Sequence, residues 1–227
     1  MKNFRIYLVI LMATLLLPLA AISQNKNELT NSTNIGSVKY KDFRIALGGG
    51  YAHRLGKIMK IDSDIDKLSR DLRSGYNIDL DGQYFFKETW GLGLSLNYAA
   101  SSVSANNIHI PGMGGADKFK ETNSFVYFGP TFSARHEFNN FLLLAHIGVG
   151  PLLYHVKDDL DGRDYTLSKV VFGAQTSVSL EYNVSDQIGL GLKASIIGGS
   201  IKLDGMDGRM NVSNLSIGAY ISFKTWK

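Results

Sequence analysis

Apolar residues recur at every second position over stretches much longer than an ordinary strand. Ile188, Leu190, Leu192, Ala194 and Ile196 alternate with Gly189, Gly191, Lys193 and Ser195. Phe172, Ala174, Thr176, Val178, Leu180 and Tyr182 alternate with Gly173, Gln175, Ser177, Ser179 and Glu181. Leu215, Ile217, Ala219, Ile221 and Phe223 do the same against Ser216, Gly218, Tyr220 and Ser222. A repeat of two puts alternate side chains on opposite faces of an extended chain, so these are β-strands with one apolar and one polar face. The same pattern marks eight strands, at about 43–54, 74–86, 91–103, 122–137, 141–154, 168–184, 188–201 and 213–226. Most exceed the roughly 5–6 residues of a typical globular strand and reach the ~9–11 of a tilted membrane-crossing strand.

The connections alternate in length. Short turns fall near 87–90, 139–140 and 185–187, and long polar segments near 55–73, 104–121, 155–167 and 202–212. An even number of strands with short turns at one end and long loops at the other is the plan of an antiparallel up-and-down barrel. Register agrees. If Val184 faces Ile188, then Tyr182, Leu180 and Val178 oppose Leu190, Leu192 and Ala194. If Phe138 faces Phe141, then Phe132 opposes Ile147. Each hairpin therefore keeps one apolar face, as a specified register requires.

The polar row decides which face is inside. It carries Gly, Ser and Asn with scattered Arg44, Asp79, Asp81, Gln83, Arg135, Glu181 and Lys193, not the dense Lys and Glu of a soluble exterior. Small residues suit a narrow barrel interior. A midplane Arg or Lys on a lipid face costs about 2–4 kcal/mol, and these strand charges avoid the Leu/Ile/Val row. The exceptions, His53 and His136, sit near strand ends. Trp90, Trp226, Tyr84, Phe86, Phe138, Phe141 and Phe223 fall at the short-turn end, an aromatic belt at a membrane interface. The fold expected is an all-β, eight-stranded antiparallel transmembrane β-barrel over 43–227. The charges Arg44, Asp79, Asp81, Arg135, Glu181 and Lys193 form its lumen cluster, with Glu181 and Lys193 diagonal neighbours that pair.

The chain opens with Lys2 and Arg5, an apolar stretch over 6–21, and Ala21-Ile22-Ser23, the layout of a secretory signal peptide cleaved after Ser23. Residues 24–42 read as a flexible periplasmic tail. Without Lys2 and Arg5 the formal charge falls from +4 to +2, which leaves no basic patch for nucleic acid. There is no cysteine, hence no disulfide, thiolate nucleophile or Cys-bound metal.

With these features the chain resembles the small outer-membrane barrel proteins of Gram-negative bacteria, of OmpA/OmpX type. The likeness covers about 43–223 and rests on the strand plan, on Tyr127-Phe128-Gly129-Pro130 and on the final strand ending in Phe223, after which Lys224-Thr225-Trp226-Lys227 follow. It implies a place in the cell outer membrane, with outer-membrane lipid and the barrel-assembly machinery as partners. No further domain is expected after the barrel.

Candidate chemistry is sparse. His146 can approach Ser133 across the 139–140 turn, a base and a hydroxyl that also suit a structural hydrogen bond. Asp62-Ser63-Asp64-Ile65-Asp66 alternates carboxylates like a calcium loop, but Lys67 takes the glycine position and Arg73 the bidentate position. Asp159-Leu160-Asp161-Gly162 is simpler as turn chemistry. Ile58, Ile61, Ile65, Leu68 and Leu72 have helical spacing and suggest a helix capping the barrel mouth. No catalytic residue, cofactor or metal is assigned. The expectation is a non-enzymatic barrel that gives surface structure or adhesion through its loops to an extracellular ligand; the alternatives are a narrow solute pore and a lipid-modifying enzyme.

Overall fold

The computed structural model describes residues 42–56, 63–110, 114–202 and 210–225. The expected signal peptide (1–23) and almost all of the tail (24–42) lie outside the described residues. So does Trp226.

Eight strands close a ring: β1 (Phe43–Arg54), β2 (Ser74–Phe85), β3 (Trp90–Ile110), β4 (Gly114–Phe138), β5 (Phe141–Leu160), β6 (Arg163–Asn183), β7 (Ile188–Gly198) and β10 (Asn214–Thr225). Sequential neighbours pair antiparallel and β10 closes on β1, Phe43 against Thr225 and Arg54 against Asn214. Between β1 and β2 lies one helix, α1 (Ser63–Asp71). Between β7 and β10 lies a two-residue ribbon, β8 (Ser200–Ile201) with β9 (Met210–Asn211). The expected registers hold: Tyr182, Leu180 and Val178 face Leu190, Leu192 and Ala194, and Phe132 faces Ile147.

The apolar row faces out. Leu47, Ile78, Leu94, Phe128, Val149, Leu192 and Ile217 are exposed, whereas Arg44, Asp81, Arg135 and Glu181 are at most 3% exposed. That inversion of the soluble pattern is stable only in lipid, where closed backbone pairing removes every strand edge. A band of aromatic contacts on β3–β6 marks the short-turn end: Trp90 stacks with Phe132 and Phe138 with Phe141, and Phe141 meets Tyr182 edge to face. At the other end the outward row turns polar at Ser124, His155 and Ser168, which are register neighbours.

Two segments expected as loops are strands. The stretches 104–110, 114–121 and most of 155–167 continue β3, β4 and β5–β6, and β5 turns into β6 through Asp161 and Gly162 alone, both in the left-handed region (φ 50° and 79°). Two residues with positive φ make the hairpin turn whose twist matches the flanking strands, and Asp-Gly is its preferred pair. Asp159 accepts the Gly162 N–H at 2.9 Å and Asp161 accepts that of Lys118 at 2.8 Å, so these carboxylates tie the turn.

Candidate functional site

The lumen is layered. Near the short-turn end, Arg44 on β1 donates to Glu181 on β6 from Nε (3.1 Å) and Nη2 (2.7 Å), and from Nη1 to Gln83 (2.7 Å). Lys224 on β10 closes on the other Glu181 oxygen at 2.7 Å and also reaches Asn183. The Arg44 guanidinium lies over the Tyr220 ring, 5.1 Å from its centroid. Farther in, Lys193 on β7 meets Asp79 and Asp81 on β2, both at 2.5 Å. Ser95 donates to Asp81 at 2.7 Å and Asn77 to Asp79 at 3.2 Å.

Backbone shape makes room for this cluster. A side chain at Gly189 would stand 2.1 Å from the Glu181 carboxylate, and one at Gly191 would stand 2.5 Å from the Tyr220 ring. Both glycines face the lumen, so β7 is pared back where Glu181 and Tyr220 must lie against it.

The expected pairing of Glu181 with Lys193 does not occur. Ser179 does face Lys193 and Glu181 does face Gly191 in the register, but both charges reach across the lumen instead of along the wall. Glu181 and Arg44 are three strands apart around the ring, as are Lys193 and the two aspartates. In a barrel this narrow, opposite walls are within side-chain reach. Arg44, Asp79, Asp81, Glu181 and Lys193 are thus brought together. Arg135 is not: it stands over Phe85 at 3.9 Å, donates to the Glu88 carbonyl at 2.7 Å and meets Glu137 at 3.6 Å. Lys224, absent from the sequence-based cluster, belongs to it. Continuing the alternation of β10 one step beyond Ser222 places it on the lumen row.

Above the charges lies an apolar cluster. Phe125, Tyr127, Leu152, Tyr154, Ile197, Ile201 and Val212 form one buried cluster under the extracellular mouth, with Met210 against it. Ile201 ends β8 and Val212 follows β9, so the ribbon strands bring both into this cluster. Leu72, just after α1, is also buried, and α1 packs against β3; Ile58 and Ile61 lie outside the described residues.

His146 and Ser133 are register partners, yet the imidazole contacts Ser177, at 3.1 Å from Nδ1 and 2.9 Å from Nε2. Among the described residues no three His, Asp or Glu side chains are placed to hold a metal ion. Asp62 of the calcium-loop-like stretch lies outside the described residues.

Comparison with solved structures returns outer-membrane barrels. A major outer membrane protein of Thermus thermophilus is similar over 82% of this chain and 100% of its own, with 11% identity and a TM-score of 0.51. Ail, the attachment invasion locus protein of Yersinia pestis, matches over 82% and 100% at 16% identity (TM-score 0.45). Neisserial surface protein A matches over 80% and 96% at 15% identity (TM-score 0.47). Comparison with curated proteins gives no match. The family described as outer membrane protein beta-barrel domain matches residues 6–223. The chain therefore belongs to that family and resides in the cell outer membrane, as a closed ring of eight antiparallel strands.

Proposed function

We propose that the protein is a non-enzymatic barrel with a closed lumen, and that it acts outside the cell through the tall sheet formed by β3, β4, β5 and β6. The observation that carries this reading is the unequal height of the wall. β2 pairs with β3 only as far as Ala100, so among the described residues 101–110 of β3 has a strand on one side alone, with α1 packed against β3. β7 pairs with β6 only as far as Ala174, so among the described residues 163–173 of β6 is paired by a strand on one side alone, with β8 beside β6. Such edges present unpaired backbone donors and acceptors, a template for an extended polypeptide segment. Four strands therefore stand above the membrane with two edges that no described strand pairs, while the lumen beneath holds ion pairs and an apolar cluster.

Two measurements test the reading. Cells expressing the chain should adhere to protein-coated surfaces, and shortening the β5–β6 hairpin by joining Asp158 to Tyr165 through Asn-Gly should abolish that adherence while the barrel keeps its heat-dependent gel mobility. Purified protein in planar bilayers should pass no steady current. Large ion-selective steps would overturn the reading in favour of a pore. A changed lipid A or phospholipid profile on expression would overturn it in favour of an enzyme.

A further inference from the structure

The two edges of the tall sheet differ in chemistry. From 101 to 106 the β3 edge reads Ser-Ser-Val-Ser-Ala-Asn, with no charge and no proline. From 163 to 169 the β6 edge carries Arg163, Asp164 and Lys169, and Asp164 pairs with Lys157 at 3.0 Å. Charged side chains on an edge strand guard it against pairing with another chain. The β6 edge is guarded in this way, and the β3 edge is not.

Each row of β3 has its own neighbours on β4. On the outer row, Ser104 is the register partner of Lys120 and Asn106 that of Lys118. Ser102, Ser104, Asn106 and both lysines are exposed. Neither ammonium group makes an ion pair among the described residues. Asp159 faces Lys120 from β5, but one of its oxygens already accepts the Gly162 N–H. On the inner row, Val103 faces Glu121 and Ala105 faces Phe119, with Asp158 beyond Glu121 on β5. Val103 and Ala105 are half-buried, so with α1 packed against β3 it is the outer row that stays open.

We infer that the partner docks on the β3 edge and is an extended protein segment with carboxylates at every second position and apolar residues between them. This rests on the reading of the tall sheet as a docking edge, and goes beyond it in choosing the edge and the partner's chemistry. A strand added beside β3 would lie roughly 10 Å from β4, two strand spacings away. Ser104 and Asn106 are short enough for the long stems of Lys120 and Lys118 to pass over them and meet a carboxylate on the outer row of that strand. On the inner row a carboxylate would approach Glu121 and Asp158, whereas an apolar side chain would extend the surface of Val103 and Ala105. The two rows together select a segment that alternates with period two.

The test uses protein extracted folded from outer membranes into zwitterionic micelles at constant ionic strength. Backbone amide NMR signals are followed during titration with the capped peptide Thr-Glu-Val-Glu-Val-Glu-Thr. It should shift 101–106 saturably, and the same peptide with lysine for glutamate should bind about tenfold more weakly. Two further peptides carry N-methyl groups on either the glutamates or the valines; the set that faces β3 should not bind, because its backbone donors are gone. Lys118→Gln with Lys120→Gln should weaken the glutamate peptide about fivefold in a barrel that keeps its heat-dependent mobility. Shifts confined to 163–169, equal affinity for the glutamate and lysine peptides, undiminished binding of both methylated peptides, or undiminished affinity in the double variant would each overturn the inference. Adherence of cells that persists without any peptide binding overturns the acidic β3 partner alone; loss of both overturns the docking reading as well.

Discussion

Arg44 and Glu181 are 137 residues apart in sequence and meet at 2.7 Å across the lumen, from strands three places apart in the ring. With Lys224 on the same carboxylate, and with Lys193 between Asp79 and Asp81, three cations face three anions on a wall that is otherwise small and polar. These pairs act as cross-braces between opposite sides of the barrel. Breaking one by removing a single partner leaves a buried charge, at a cost of about 3–5 kcal/mol.

The pairing predicts which combined variants rescue. Lys193→Met should destabilise the barrel by about 3 kcal/mol or more, because Asp79 and Asp81 lose their shared cation. Adding Asp79→Asn and Asp81→Asn should recover most of that loss. Adding Glu181→Gln instead should make matters worse, since Glu181 serves Arg44 and Lys224. Urea unfolding in micelles reads all four proteins, and recovery with Glu181→Gln would contradict the observed partners.

That contrast marks where sequence reasoning reached and where it stopped. Alternation placed Glu181 and Lys193 on the lumen row, and hairpin register placed Ser179 opposite Lys193, because both follow from neighbouring strands alone. Which wall each charge reaches depends on ring closure, β10 against β1, and on the clearance left by Gly189 and Gly191. No local pattern encodes that. The extended β3–β4 and β5–β6 hairpins were illegible for a different reason. Above the membrane neither face must be apolar, so the period-two signal fades through Lys118, Lys120, Thr122 and Lys157 while the backbone pairing continues.

Gly189 and Gly191 should not tolerate alanine. The added carbon would lie 2.1 Å from the Glu181 carboxylate in one case and 2.5 Å from the Tyr220 ring in the other. Overpacking of this kind costs about 1–3 kcal/mol. Gly82 is the control: it lies on the lipid row with nothing within 4 Å of an added carbon, so Gly82→Ala should be neutral or slightly stabilising. Equal losses at all three positions would mean that backbone freedom, not clearance for Glu181 and Tyr220, explains the glycines.

The protruding hairpin should tighten in mild acid. Glu121 and Asp158 are direct register partners on β4 and β5, above the level where the outer row becomes polar. Burial raises both carboxyls above their ordinary range; the Asp158 charge raises Glu121 further, while the Asn123 hydrogen bond and Arg54 pull it down. A carboxyl raised by folding lends stability that is fully present below its unfolded pKa, about 4, and is lost as pH rises through the folded value. Amides around 120–123 and 156–159 should therefore exchange more slowly at pH 5 than at pH 7 after correction for intrinsic rates. Glu121→Gln should slow exchange at pH 7 and flatten the trend. Faster exchange on acidification would show that the carboxylates stabilise this hairpin in their charged form.

The height of the lipid boundary can be read from two arginine substitutions on the outer row. Leu192 is 67% exposed near the middle of β7, where the charge would sit in hydrocarbon, so Leu192→Arg should cost about 2–4 kcal/mol. Val170 is 68% exposed but only two residues from Ser168, where the outward row turns polar with Ser124 and His155. Near an interface the same substitution costs about 0–1 kcal/mol, and a long arginine can lift its head group to water. Unfolding in phospholipid vesicles measures both. A penalty at Val170 as large as that at Leu192 would put the hydrocarbon well above Val170. The open edge of β6 would then begin inside lipid, where no polypeptide partner could reach it, and the tall sheet would lose its role as a docking edge.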